Sequence, residues 1–427
     1  MEQKKLRWMR LDNAAKIYPA ARRRNWNNMF RVSATLSRPV DPAVLQTALE
    51  ATIGRFPSIA VRLRKGVFWY YLEEIPSPPR VRQDSACPLA HIRFSEIRRC
   101  AFRVLYYENR IAVEIYHALT DGNGGLVFLK TLLAEYLEQK EGVLIPSGQG
   151  VLDRKAPPRE EELEDSFLKY SGAVSASRAE DSAYHIEGTK ETDGYLNQTT
   201  GILDAEAALS LARSYGATLT EFLTAVMILS ILKIQQRERP RARRRRAIKI
   251  LVPVNLRRLF PSETMRNFAL FATPGIDPKL GKYTLSEVVR MVHYQMGAEI
   301  NPKKMSARIA TNVHTEQVML LKLMPLFIKN AAMKLVYNMV GESKACLSLS
   351  NLGQVQIPAE MQPYVTRFDF VLGAQAQQHN NCGVLSYAVK LYINLTRNIR
   401  EPKLEHAFFT DLRKLGLHVK VESNQRD

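Results

Sequence analysis

The 427-residue chain is poor in cysteine, in clustered histidine, in long apolar runs and in acidic charge, and each shortage excludes something. Its four cysteines, Cys87, Cys100, Cys346 and Cys382, lie far apart and form no C-x-x-C pair. That argues against a disulfide framework and against a thiolate-bound metal. The eight histidines do not fall at metal-ligand spacings, so no metal site is expected. The longest apolar run, Phe222 to Leu232, is too short for a bilayer, which takes about 20 residues. Met1 to Arg10 is basic, but no apolar segment follows it. Arg22-Arg23-Arg24 precedes Asn25-Trp26-Asn27-Asn28 rather than an apolar run. Neither has the form of an export signal, so a cytoplasmic chain without a transmembrane segment is expected. Acidic residues number 42 against 61 basic ones, a net charge of +19. Such a surface suits polyanions, including phosphorylated cofactors. No zinc finger, basic zipper or aromatic ribonucleoprotein motif accompanies it, so nucleic acid is not the expected partner. The densest basic run, Arg237 to Arg246, reads as an exposed loop before a strand.

What is present centres on Tyr116-His117-Ala118-Leu119-Thr120-Asp121-Gly122. Arg110 to Tyr116 alternates apolar and polar residues and is rich in β-branched ones, which predicts a strand. Leu126 to Leu137 has apolar residues at helical spacing. His117 therefore lies where a strand gives way to a loop, a usual place for a catalytic side chain. A neutral imidazole, with an ordinary pKa near about 6.5, can take a proton from a hydroxyl, an amine or a thiol. Asp121 has two readings: it holds His117, or it pins the loop by pairing with an arginine elsewhere. Gly122 is expected to permit a tight reversal of the chain.

Along the chain, Met29–Leu36 reads as a strand. Asp41-Pro42 opens a helix to about Arg55, because Asp can cap free N–H groups and Pro suits the first turn. Ile59 to Tyr71 reads as a hairpin turning at Lys65-Gly66, and Ala101 to Tyr116 as a second hairpin. Lys140 to Gly194 has weak periodicity and reads as a crossing between two parts, taken as residues 1–175 and 176–427. In the second part a strand covers about Tyr195–Leu203, and a helix runs from Asp204 to Tyr215. Thr218 and Glu221 form a capping box for a long helix, and Ile248–Val252 is a strand. Tyr283–Ile300 and Pro302–Met339 read as helical, the latter strongly apolar around Leu320, Leu321 and Leu323. Strands are expected at Val365–Leu372, Gly383–Lys390, Leu391–Thr396 and Leu417–Val421, with a helix at Lys403–Lys414.

The strand, His117-x-x-x-Asp121-Gly122 and amphipathic helix resemble the active-site motif of the chloramphenicol-acetyltransferase-like superfamily. Two further stretches extend the likeness in the same order: Pro253-Val254-Asn255-Leu256-Arg257 to Arg266-Asn267-Phe268, and Ser350-Asn351-Leu352-Gly353. The look is nearest to bacterial alcohol acetyltransferases. Condensation domains of peptide synthetases usually carry a second His where Tyr116 stands. The resemblance implies an α/β fold with mixed sheets, in two subdomains with a tunnel between them. It implies His117 as general base, with Ser350 or Asn351 donating to an oxyanion. It implies Arg62 as the salt-bridge partner of Asp121, and Arg257, Arg258 and Arg266 as contacts for coenzyme A phosphates. No cofactor would be tightly bound; acyl-CoA would be a co-substrate and a small alcohol or amine the acceptor. An acidic acyl carrier protein as donor, or a non-catalytic binding role on the same fold, are the alternatives.

Overall fold

The computed structural model describes residues 6–20, 28–172, 174, 182–237, 245–317, 324–336, 342–375 and 377–426. Arg22 to Arg24, most of the Arg237–Arg246 run, and Leu320, Leu321 and Leu323 lie outside the described residues.

Sixteen strands form three sheets among the described residues. They are β1 (Trp8–Arg10), β2 (Met29–Leu36), β3 (Val61–Lys65), β4 (Tyr70–Glu74), β5 (Arg82–Gln83), β6 (Phe102–Tyr107), β7 (Arg110–Tyr116) and β8 (Asn197–Asp204). Then come β9 (Ile248–Asn255), β10 (Ala269–Ala272), β11 (Gly275–Ile276), β12 (Leu347–Val355), β13 (Val365–Leu372), β14 (Asn380–Tyr387), β15 (Lys390–Arg397) and β16 (Lys420–Ser423). The first large sheet has the order β13-β2-β7-β6-β5. The second runs β10-β9-β12-β14-β15-β8-β16, with β11 pairing β9. A small sheet, β1-β4-β3, stands apart from both. Both large sheets mix parallel and antiparallel pairs: β5 with β6 and β12 with β14 are parallel, most others antiparallel.

The longer helices are α1 (Pro42–Ile53), α2 (Gly122–Glu141), α3 (Ala205–Ser214), α4 (Leu219–Gln235), α5 (Leu285–Glu299), α6 (Pro302–Gln317), α7 (Leu326–Val336) and α8 (Lys403–Lys414). Their starts follow local chemistry. Asp41 accepts from the N–H groups of Ala43 and Val44 with Pro42 in the first turn. Thr218 and Glu221 close a capping box on α4. In α1, Leu45, Ala48, Leu49, Thr52 and Ile53 are buried, the one-sided spacing of a helix laid on a core. α1 packs against α2, which in turn covers β2 and β7.

Chain position and sheet membership part company at β13. This strand lies far beyond residue 175, yet it pairs antiparallel with β2, Phe370 opposite Val32, and so forms one edge of the first sheet. Phe368 and Phe370 are buried in the first core with Phe30 and Val113, while α4, α8, β14 and β15 enclose the second core. The expected boundary at 175/176 is therefore crossed, and the crossing carries β12 and β13 against the His loop. Several strand ends differ from the sequence reading. β14 stops at Tyr387, and the hairpin turns at Ala388-Val389, with Ala388 at φ +50°. The last strand begins at Lys420, not Leu417. β12 runs through the Ser350 to Gly353 stretch: it bulges between Asn351 and Gln354, helped by φ +78° at Gly353, and resumes to Val355.

Candidate active site

His117 stands one residue past the last pair of the β2–β7 ladder, Met29 with Tyr116, and its N–H donates to Asn28 O at 2.8 Å. The ladder thus sets where the side chain leaves the sheet. Tyr18, on the short helix Ile17–Ala20, stacks on the imidazole with centroids 4.9 Å apart. Phe30 meets the ring edge-on at 5.2 Å. Tyr116, at the position of the missing first His, is buried in the first core.

The two ring nitrogens are distinguished by what surrounds them. Nδ1 lies 3.1 Å from Asn267 Oδ1, and Asn267 Nδ2 donates to Asp12 Oδ2 at 3.2 Å. An amide whose nitrogen donates to a carboxylate offers only its oxygen to the other side, so Nδ1 carries the hydrogen. Nε2 is then the nitrogen with the free lone pair. Burial lowers the His117 pKa from its ordinary value, against the opposing pull of its own carbonyl, the Asp121 charge and Asn267. The imidazole is therefore neutral at pH 7. Asp12 also accepts from Ala15 N–H at 2.7 Å. Burial pushes its carboxyl up to about 6, with nearby Arg266 pulling the other way, so it is still a carboxylate at neutral pH. The Tyr18 phenol is pushed up by burial and by Asp12, and stays protonated.

Asp121 does not touch His117 as a triad member would. It caps α2, with Oδ1 accepting from Gly124 N–H at 3.1 Å. Its Oδ2 accepts from Arg257 Nη1 at 2.7 Å and from Phe268 N–H at 3.1 Å. Of the two sequence readings, loop-pinning is the one the geometry has. The arginine differs from the expected one. Arg62 on β3 faces Glu73 on β4 and pairs with it, together with Arg64, so it never reaches Asp121. A local carboxylate in the cross-strand register has captured it.

This reassigns two of the three arginines expected on phosphate. Arg257 donates to Asp121, to Asn255 Oδ1, and to the carbonyls of Thr264 and Arg266. All five of its N–H groups are consumed within the protein. Arg266 is buried, donates to Leu163 O and Arg10 O, and lies 3.7 Å from Asp12. Only Arg258 of the three is exposed. A Cβ built on Gly353 would stand 4.0 Å from its guanidinium, which sets Arg258 beside the β12 bulge.

The third motif meets the first through Gly122. A side chain there would run into Leu352 at 2.8 Å and the Phe370 ring at 3.2 Å, so this glycine serves a close approach, not the reversal expected from the sequence. Thr120 Oγ1 donates to Met265 O, tying the first motif to the second as well. Asn351 is spent on structure: its Nδ2 donates to Thr220 Oγ1 at 3.0 Å and its Oδ1 accepts from Gly353 N–H at 2.8 Å. Ser350 is partly exposed on β12 opposite Gly383, and its hydroxyl has no hydrogen-bond partner among the described residues. The residues missed at sequence level are Asn267, Asp12 and Tyr18. Asn267 was within reach, since it sits inside the second stretch of the resemblance; nothing local marks Asp12 or Tyr18. Among the described residues no group of His, Cys, Asp and Glu could hold a metal ion.

No protein-family model matches the chain, and no curated protein matches it by sequence. Solved structures do. The epimerization domain from the third module of tyrocidine synthetase B aligns with a TM-score of 0.61 at 12% identity, covering 97% of each chain. Trichothecene 15-O-acetyltransferase from Fusarium sporotrichioides aligns at 0.59 and 12% identity, over 96% of this chain and 94% of that one. The starter condensation domain of rhizomide synthetase, solved as a mutant in complex with C8-CoA and Leu-SNAC, aligns at 0.55 and 13% identity over 96% of this chain and 93% of that one. The chain has the α/β fold of the chloramphenicol-acetyltransferase-like superfamily. Acetyltransferases and condensation-type domains are both built on it.

Proposed function

We propose that the protein is an acyltransferase of the cytoplasm. It moves an acyl group from a coenzyme A thioester to the hydroxyl or amine of a small acceptor, with His117 as general base. The observation that carries this reading is the orientation of His117: Nδ1–H is held by Asn267, which Asp12 holds in turn, leaving Nε2 as a neutral base. The acceptor O–H or N–H gives its proton to Nε2 as its heteroatom attacks the thioester carbon. The tetrahedral oxyanion is met by the Ser350 hydroxyl. Collapse breaks the carbon–sulfur bond, and the proton on His117 passes to the departing thiolate. Asp121 and Arg257 keep the loop in place and take no proton. Arg258, exposed beside the β12 bulge, is the phosphate contact proposed for the donor. Likeness to acetyltransferase and condensation-domain folds supports acyl transfer as the reaction class.

The deciding experiment measures thiol release from acetyl-, butyryl- and longer acyl-CoA with alcohol and amine acceptors. Acceptor-dependent release that falls about 10²–10⁴-fold in His117→Ala is expected from loss of a general base. Release unchanged in that variant would overturn the mechanism. No release with any CoA donor would transfer the reading to an acidic carrier protein as donor. The pH profile is a separate check. Because burial lowers the His117 pKa, the acid limb of kcat/KM lies below about 6.5 and the rate is flat above it. Asn267 favours the charged ring, so Asn267→Ala moves that limb to still lower pH. It also lowers the plateau roughly two- to tenfold, the worth of one hydrogen bond. A limb displaced upward would contradict the assignment.

A further inference from the structure

The hairpin between β3 and β4 ends in Val67 and Phe68, which are 75% and 50% exposed. Beside it, α7 begins with Phe327 and Ile328, 71% and 42% exposed. Two contacts hold these four apolar side chains side by side. Leu326 N–H donates to Val67 O at 3.2 Å, and Lys329 Nζ donates to Phe68 O at 2.9 Å while lying 5.1 Å from the Trp69 ring. The patch is thus made of two protrusions fastened together, a hairpin tip and a helix start. Such a shape inserts into something soft; it is not a groove that receives a helix.

The charge around it is positive. Lys65 is exposed at the foot of the tip. Arg10, Tyr71 and Arg64 lie in one cross-strand row of the small sheet, with Arg10 exposed. The acids of the small sheet are Glu73, shared between Arg62 and Arg64, and Glu74, set against the cations Arg7, Arg10, Arg62, Arg64 and Lys65 in or beside it. Lys16 is near enough to Lys329 to repel its charge. Aromatic and aliphatic protrusions ringed by lysine and arginine have the chemistry of an interfacial anchor, whose strength sums apolar insertion and attraction to anionic lipid.

We propose that this face docks the protein on an anionic lipid bilayer. The small sheet and α7 lie on the bilayer, with Phe68 and Phe327 inserted below the headgroups. The position bears on the candidate site. α7 packs against the short helix Ile17–Ala20, whose Tyr18 covers His117. A lipophilic acceptor or acyl chain leaving the bilayer would arrive on that side. Docking does not depend on acyl transfer, whereas the benefit to a lipophilic substrate rests on it.

Co-sedimentation of the full chain with vesicles tests it, using phosphatidylcholine alone and phosphatidylcholine mixed with phosphatidylglycerol. Binding to the anionic vesicles, weakened by high salt, is expected. Phe68→Ser/Phe327→Ser should lose about tenfold or more in partitioning, because each removes a large inserted apolar side chain. Leu144→Ser/Leu280→Ser, at exposed apolar positions elsewhere, should bind like the wild type. Thiol release with a water-soluble acceptor should be the same in all of them, which separates docking from the reaction. Equal binding to both vesicle types would overturn the proposal. So would binding that survives Phe68→Ser/Phe327→Ser, which would point to the Arg237–Arg246 run instead. Capture of an acidic acyl carrier protein by this face, with vesicles ignored, would replace the lipid by a protein.

Discussion

The two sides of the candidate site, the His-loop wall and the β12 wall that meets it at Gly122, are built on opposite terms. On the His-loop side almost every polar group is tied down: Nδ1 by Asn267, Asn267 by Asp12, and Asp121 by Arg257, Gly124 and Phe268. On the β12 side the Ser350 hydroxyl is uncommitted among the described residues, and the Arg258 guanidinium is exposed. A base must be held in one tautomer and one place, since a displaced or flipped imidazole presents the wrong atom. A donor meant for substrate must have no partner until substrate arrives, or its hydrogen bond gains nothing in the transition state. Under the proposed mechanism, the difference separates groups that organise from groups that engage. It implies that substitutions on the first wall damage stability and geometry together, whereas those on the second change kinetics in a folded protein.

The largest expected effect tests the first wall. Asp121→Ala leaves Arg257 largely buried without its carboxylate, and uncaps α2. Loss of one partner from a buried pair costs roughly 3–5 kcal/mol, and a lost cap adds about 1 kcal/mol. Denaturant unfolding would read this directly. A variant as stable as the wild type would mean that the clamp is not what holds the loop. Arg62→Ala should cost far less, because its pair with Glu73 is partly exposed and Arg64 remains to take the carboxylate.

The second wall is tested by Ser350→Ala. Loss of an oxyanion donor costs about 2.7–4 kcal/mol, or roughly 10²–10³ in kcat, with little change in KM or in unfolding. An unfolding shift without a kcat loss would return Ser350 to a structural role, and the comparison between the walls would fail.

The same contrast explains what could be read from the sequence. Features decided within a few residues were legible. The β7–loop–α2 passage, the Asp41-Pro42 start and the Thr218/Glu221 box are local agreements of side chain and backbone. Ser350 and Arg258 were singled out by the order of their motifs along the chain, and their roles rest on the proposed mechanism. The pinned wall was much less legible, since its partners come from across the chain. Asp121 and Arg257 are 136 residues apart, and His117 and Asn267 are 150. Spacing cannot say which of several arginines reaches a carboxylate, so Arg62 was expected where Arg257 stands. Gly122 was legible as a required glycine but not for its cause, which is the distant Leu352 on β12 of the second sheet. The pairing of β13 with β2 was likewise hidden from a division of the chain by position.

The smallest effect falls on Arg258, and it sharpens the comparison most because Arg257 is next to it in sequence. Two adjacent arginines, one saturated and one exposed, should fail in different ways. Arg257→Ala should resemble Asp121→Ala, with unfolding at lower denaturant. Arg258→Ala removes one exposed charge, so stability should hold. If it meets a donor phosphate, KM for acyl-CoA should rise roughly two- to fivefold, the range for an exposed ion pair, with kcat unchanged. The rise should shrink in high salt, since a partly exposed pair is screened. A short acyl thioester that lacks the nucleotide should be used equally by Arg258→Ala and the wild type. If that truncated donor also suffers, the guanidinium is acting at the reacting carbonyl and not at phosphate, and Arg258 shares in the oxyanion role assigned to Ser350.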